Sequence, residues 1–575
     1  MEQYLTGAST SRQGQVVLEV DSNGTVVGQN SYTAPKQGDN VVLTLDLGLQ
    51  EVVEKELEAN IKLIGEEQRR MYEEGREDTE HEKGYDTLLS ERSKKEIDFN
   101  QSGAAIVMEV DTGNVLAMVS YPSYDLNLFT GGISEDVFNE LLEDPATPLF
   151  NNAISSVSTP GSVFKMVTAV AGLMEGEISL DTIINDEGKF TKYINEGYTT
   201  AHAPACWTRY PQNHAHNQTV VEAIRDSCNY FFYTVADRLK IDRLNKWADN
   251  FGLTSSTGIE LTGEAVGWVG NQKILYDNTK PIDQQKTYKP QLVYNKVREQ
   301  LEKYGEERST TYTDEMLDTA ATQIVELAGE GNWEAGGAIR EILSKELDIP
   351  QNVSRDRGWS AELFNIIREL MWTDTDTVTQ GIGVTPTQLT PIAIARYICA
   401  LMNGGKVMEA HIVDKIVDYE GNVVKDVEPV IVNDLQLPDQ YTEAIKRGME
   451  KVVSGEGEIG GTASGAFVNF KYKDQIVGKT GTAPVSTIDL EDNVWLCLAA
   501  PKDDPEIAIV IFLPHGLSES KAYPAAKAIL QYYFESKEEQ EKPSDSNTPE
   551  EGGLVDDSPK ETASTQPTDT ITPAE

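Results

Sequence analysis

Apolar residues recur along this chain in several rhythms, and each predicts a different element. Over 15–46 they form short runs broken at Ser22-Asn23-Gly24 and Gln37-Gly38-Asp39, the pattern of short strands joined by turns. From about 49 to 74 they return at helical spacing, which predicts one long amphipathic helix. The stretch 73–95 is densely charged and reads as a mobile excursion. Apolar runs at 104–110 and 114–119 flank Asp111-Thr112-Gly113-Asn114 and predict a hairpin. The middle, from 162 to about 404, is mostly helical in rhythm, and continuous apolar runs return at 475–477, 494–500 and 506–513 before a helical segment near 521–534. Strands from both ends of the chain enclosing a helical middle imply an α+β fold: one five-stranded antiparallel sheet with helices on its faces.

Three strings carry the candidate chemistry: Ser162-Val163-Phe164-Lys165, Ser227-Cys228-Asn229 and Lys479-Thr480-Gly481-Thr482. A serine hydroxyl becomes a nucleophile when a neutral base within hydrogen-bond reach takes its proton. If Pro160-Gly161 opens a helix, Lys165 lies about one turn from Ser162 on the same face. The helix N-terminus, burial among Val163, Phe164 and Met166, and a second cation in Lys479 would each favour the neutral amine of Lys165. The backbone N–H of Ser162 and one on the strand carrying Thr482 would receive a developing oxyanion. Ser227 would pass a proton between Lys165 and a leaving or attacking amine, and Asn229 would hold a peptide bond. Lys479, with the hydroxyls of Thr480 and Thr482, is expected to bind a carboxylate, Gly481 leaving room for a substrate backbone. Any one string is equally an ordinary turn or helix end. The ordered set, with an apolar helix behind the first serine, is not.

With these motifs the chain resembles the serine penicillin-binding proteins, and among them the class B, monofunctional peptidoglycan D,D-transpeptidases. Pro148-Leu149-Phe150-Asn151-Asn152-Ala153, Thr257-Gly258-Ile259-Glu260-Leu261 with Gly263-Glu264, and Gly381-Ile382-Gly383-Val384-Thr385-Pro386-Thr387-Gln388 extend the resemblance. So do Gly38-Asp39-Asn40-Val41-Val42-Leu43-Thr44-Leu45-Asp46 and Leu49-Gln50, similar to the end of that family's non-catalytic domain. The resemblance implies the penicillin-binding transpeptidase fold over 101–535 and a smaller N-terminal non-catalytic, pedestal-like domain within 1–100; the helical stretch at about 271–377 is longer than the family leads one to expect and reads as an inserted subdomain. It implies cross-linking of peptidoglycan stem peptides through an acyl-enzyme on Ser162, inhibition by β-lactams, and a partnership with a glycosyltransferase in a wall-synthesis complex through the N-terminal domain. A membrane anchor ahead of the chain's first residues and an extracytoplasmic site are implied too, and the lack of an appended C-terminal repeat domain favours the elongation type. Two rivals stand beside this reading: a β-lactamase or D,D-carboxypeptidase, which needs a deacylating water, and a β-lactam sensor or scaffold without turnover.

Composition narrows the partners. The chain has 575 residues, 94 acids and 49 bases, a formal charge of −45, which opposes nucleic acid and anionic lipid alike. Part of the excess lies in 536–575, where eleven acids, three bases and five prolines occur without an aromatic residue, the composition of a disordered tail.

A second cluster borders the second string. Of six histidines, three are His202, His214 and His216; of four cysteines, two are Cys206 and Cys228. Cys206, Cys228, Asp226 and either His214 or His216 would make a tetrahedral structural zinc shell. Buried free thiols and an oxidised pair are the competing readings. Cys399 and Cys497 sit in apolar patterns and read as core.

Overall fold

The computed structural model describes residues 2–5, 14–73, 101–194, 203–207, 217–329, 331, 333–384, 386–455, 460–483 and 492–540. Residues up to Tyr533 make one packed unit; of the second, Phe534–Glu575, the described part is the end of the helix Tyr523–Gln540. The charged excursion beyond 73 and the acidic tail beyond 540 lie outside the described residues.

The N-terminal rhythm becomes β1 (Gln15–Val20) and β2 (Val26–Thr33), an antiparallel hairpin, followed by β3 (Asn40–Leu43). The hairpin turn is closed by the Asp21 carboxylate, which accepts from the backbone N–H groups of Asn23 and Thr25. β3 pairs with the strand Val413–Val417, so this stretch is hydrogen-bonded into the C-terminal half. Helix α1 (Leu47–Glu73) buries Leu49, Val53, Leu57, Ile61 and Ile64 as one stripe. That stripe packs on the hairpin of β4 (Gly103–Glu109) and β5 (Val115–Tyr121), so α1 shares the core of the main sheet although it lies within 1–100. Gln50 of α1 donates to Met118 O at 3.1 Å and accepts from Met118 N at 2.9 Å, completing hydrogen bonds along the outer edge of β5.

Three late strands, β6 (Val477–Ala483), β7 (Asn493–Ala500) and β8 (Ile507–Leu513), join that hairpin in the order β6-β7-β8-β4-β5, every pair antiparallel. This is the five-stranded sheet the strand pattern implies. β7 and β8 are buried at every residue, which explains their unbroken apolar runs. β6 extends past its apolar start and contains the whole Lys479–Thr482 string, in register with Trp495 opposite Gly481 and Cys497 opposite Lys479.

Between the two strand groups, α2 (Lys165–Met174) is buried from Lys165 to Leu173, and α3 (Val220–Arg225) and α4 (Asn229–Asn250) follow it. Within the expected insertion, helices Lys289–Glu307, Asp314–Gly329, Gly336–Leu347 and Trp359–Ile367 close on a core of their own around Val297, Leu301, Ile324, Leu343 and Leu363. Tyr304 stacks on Trp359 there with ring centroids 4.2 Å apart. Helix α5 (Pro391–Met402) is buried along its whole length and packs on β4 and β8.

Candidate active site

Ser162 sits on a 3-10 turn, Gly161–Phe164, that runs into α2 at Lys165. Gly161 has φ +56°, and a Cβ there would lie 2.6 Å from Thr482 O. Glycine is therefore what lets the turn lie against β6. Distant groups pin the turn: Gly161 N donates to Gly383 O at 2.9 Å, Trp495 Nε1 to Thr159 O at 2.9 Å, and Tyr397 OH to Val163 O at 3.1 Å. Ser162 faces a cleft of about 500 Å³ lined also by Ser227, Asn229, Thr480 and Thr482.

Lys165 is fully buried, and its Nζ donates to Ser227 O at 2.5 Å, Ser227 Oγ at 3.0 Å and Asn229 Oδ1 at 2.7 Å. Burial pulls its pKa down to about 8, against an upward pull from the thiols of Cys206 and Cys228. Lys479 is also fully buried. Its Nζ donates to the same Ser227 Oγ at 2.9 Å and to Thr480 O at 2.9 Å. Burial, and then the charge of Lys165, hold its pKa well below the ordinary lysine value. The effect of the second cation thus falls on Lys479, whereas the sequence pattern placed it on Lys165, whose own depression comes from burial.

Ser227 reaches this position because α3 stops. Ser227 N bonds Ile224 O and Cys228 N bonds Ala223 O, a helix-end turn that places Ser227 at φ +52°. A non-glycine residue there stores strain, as serine does at a site held by its surroundings. Cys228 then caps α4, its Sγ accepting from Phe231 N at 3.3 Å, and Asn229 opens the helix.

Two expectations change. Lys479 does not offer its ammonium to the cleft: it turns inward to Ser227, and the cleft-facing groups of β6 are Thr480 and Thr482. The alternation of a strand explains this, since Lys479 and Gly481 share one face and the two threonines the other. Gly481 likewise makes room for protein rather than ligand, because a Cβ there would meet Val163 Cγ1 at 2.9 Å, Pro160 O at 3.1 Å and Trp495 Cβ at 3.1 Å.

The cysteine cluster forms, with a different acid. Cys206 Sγ and Cys228 Sγ are 4.0 Å apart as free buried thiols, and Cys228 Sγ lies 3.3 Å from Asp186 Oδ2. Ligand atoms of Asp186, Cys206 and Cys228 all fall within 4.8 Å of one another. Asp226 is turned away: its carboxylate accepts from Arg225 Nε at 2.5 Å, Arg225 NH2 at 2.9 Å and Gln218 Nε2 at 2.9 Å. The adjacent arginine captures it, a pairing that a buried carboxylate requires. His202, His214 and His216 lie outside the described residues. Asp186 was not legible as a ligand, because it reaches Cys228 only through the short ladder of Ile184–Asn185 with Asn217–Gln218. Glu519 and Asp492 also line the cleft, and no motif marked them.

The family description "Penicillin binding protein transpeptidase domain" matches residues 103–290 and 356–531. The chain is 28% identical over 453 residues to the peptidoglycan D,D-transpeptidase MrdA of Haemophilus influenzae, covering 75% of this chain and 53% of that protein. The chain spans 53% to 61% of the length of the first curated relatives it matches. In fold it is similar to penicillin-binding protein 2 of Helicobacter pylori, solved as a complex with MreC, with a TM-score of 0.54 and 20% identity over 91% of this chain and 69% of that one. It is similar also to penicillin-binding protein A of M. tuberculosis, solved as an imipenem acyl-enzyme, with a TM-score of 0.53 and 19% identity over 87% and 80%.

Proposed function

The chain belongs to the penicillin-binding protein transpeptidase family, and from that premise we propose that it is a serine D,D-transpeptidase that cross-links peptidoglycan stem peptides. The observation that carries the reading is the Ser227 hydroxyl held between two fully buried lysines at the floor of the cleft that Ser162 faces. Neutral Lys165 takes the Ser162 proton as Oγ attacks the carbonyl of the penultimate D-alanine. The oxyanion is received by the backbone N–H groups of Ser162 and Thr482, whose two segments touch at Gly161. When the tetrahedral intermediate collapses, Ser227 relays the proton from Lys165 to the leaving D-alanine amine, and Lys479 keeps that hydroxyl oriented. An amine on a neighbouring stem then attacks the ester, giving its proton back along the same path. Asn229 aligns the donor peptide bond, and Thr480 and Thr482 offer hydroxyls to its terminal carboxylate. β-Lactams acylate Ser162 by the first half of this sequence.

Beside the site, we propose that Asp186, Cys206 and Cys228 would hold a structural zinc ion, with His214 or His216 supplying the fourth ligand. The donor set suits zinc, and the 4.0 Å separation of the sulfurs is close to the roughly 3.8 Å expected of two thiolates on one tetrahedral ion. Bound there, the ion would fix the turn that carries Ser227 and Asn229. We propose further a role of the elongation type, as for the MrdA relatives, in a wall-synthesis complex at the outer face of a membrane with a glycosyltransferase meeting the N-terminal elements; the similar Helicobacter pylori protein was solved in complex with MreC. Among the described residues, no helix is long and apolar enough to cross a membrane. Incubation with a fluorescent penicillin and peptide mass spectrometry tests the activity: an adduct on Ser162 is expected, and its absence would overturn the reading.

A further inference from the structure

The end of the cleft that should receive a substrate carboxylate carries acids instead. Glu519 opens a 3-10 turn, Glu519–Lys521, and its carboxylate accepts a hydrogen bond from Thr482 Oγ1 at 3.1 Å. The turn is tethered by an ion pair from Lys521 to Glu67 of α1, so Glu519 is presented by a fixed element. Asp492 lines the same cleft. Among the described residues lining it there is no lysine or arginine, since Lys479 is buried behind β6. The neighbouring hydroxyl, Thr480 Oγ1, lies 2.9 Å from Thr462 Oγ1, and either of the two can be the donor.

A threonine hydroxyl has one proton to donate. Given to Glu519, the Thr482 proton is withheld from any ligand carboxylate, and a ligand anion placed there also meets the Glu519 charge at close range. We propose that Glu519 is a specificity-determining residue, an internal competitor for the carboxylate subsite that every anionic acyl donor must displace. Ligands whose carboxylate is accompanied by a cationic group lose less, because the cation pairs with Glu519 as the anion takes Thr482. The residue acts on recognition; its charge also favours the protonated form of Lys479 behind Thr480, an effect common to charged and neutral donors that the neutral probe below subtracts. This inference rests on the reading of the cleft as an acyl-transfer site for carboxylate-bearing donors.

Glu519→Gln separates charge from shape, since the amide oxygen still accepts from Thr482. Second-order acylation rates are measured for the wild type and E519Q with benzylpenicillin, an anion, and with its neutral methyl ester. E519Q is expected to raise the rate with the anion on the order of tenfold relative to that with the ester, the gain shrinking in high salt. Equal changes for both probes would mean a structural role, and no change for either would mean no competition; each overturns the proposal. In a Ser162→Ala background, titration with N-acetyl-D-alanyl-D-alanine and its C-terminal amide reads the subsite without acylation. There E519Q should tighten the acid and not the amide. Failure of every variant to acylate would count against the transpeptidase reading alone, while an unaltered acid-to-amide ratio in the titration would sink the role of Glu519.

Discussion

Lys165 and Lys479 meet on one acceptor: both ammonium nitrogens point at the hydroxyl of Ser227, at 3.0 and 2.9 Å. Two full charges that close in a buried site are unfavourable, so the pair is poised to hold fewer than two extra protons. Both lysines are depressed by burial, and Lys165, at about 8, is the base assigned to Ser162.

With the pKa of Lys165 near 8, only about a tenth of the chains carry the neutral base at pH 7. Acylation of Ser162 should therefore climb close to tenfold per pH unit below 8 and level off above it. Stopped-flow acylation from pH 6 to 9.5 checks this; a flat profile over that range would remove Lys165 as the base. The sign for stability follows from the same shift. Between about 8 and 10.5 the unfolded chain binds the proton that the folded one releases, so this group's contribution to stability grows as pH rises through that window.

Gly481→Ala should cost on the order of 1–3 kcal/mol in urea unfolding, because its Cβ would press on Val163, Pro160 and Trp495. Acylation should slow through a lower limiting rate rather than weaker binding, since the displaced element is the turn bearing Ser162. A change confined to affinity would restore the view that Gly481 makes room for substrate.

Metal content should separate two aspartates that stand near the same cysteine. Asp186→Asn is expected to lose most of the zinc found by elemental analysis after purification, whereas Asp226→Asn keeps it and instead destabilises the chain. The latter leaves Arg225 buried without its anion, an effect on the order of 3–5 kcal/mol. Zinc retained by both variants and by Cys228→Ser would exclude the site.

Leu343→Ala removes a fully buried side chain from the helical insertion, a loss of about 2–5 kcal/mol that should fall on that core. Hydrogen exchange should quicken within 289–367 while the penicillin acylation rate stays within about twofold, given that this core lies apart from the catalytic residues. Equal loosening of β6 to β8 would show that insertion and sheet unfold together.

How much of this could be read in advance depends on the range of each interaction. The β4–β5 hairpin, α1, and the Ser162 to Lys165 spacing are local, and short patterns specify them. The direction of Lys479 was legible in principle, since alternation puts it opposite Thr480 and Thr482, but the motif reading treated the string as one binding patch. Asp186 could not be found that way, because a two-residue ladder far along the chain brings it to Cys228, while Asp226 looked nearer in sequence and is taken by its own neighbour Arg225. Glu519 belongs to a turn whose position is set by Glu67 on α1 and by Thr482, and no short string encodes those meetings.

The order of the strands has a consequence for biosynthesis. Ser162 and Lys165 leave the ribosome about three hundred residues ahead of β6, β7 and β8, and β8 must pair with β4, made long before. Until those last strands arrive, the turn Gly161–Phe164 has no β6 or β7 to lie against, and the serine has neither Lys479 beside its relay nor Thr482 against its turn. A nascent chain that stops before β8 thus carries the nucleophile in an inert form, and reactivity toward acyl donors appears only once β6 to β8 have been made.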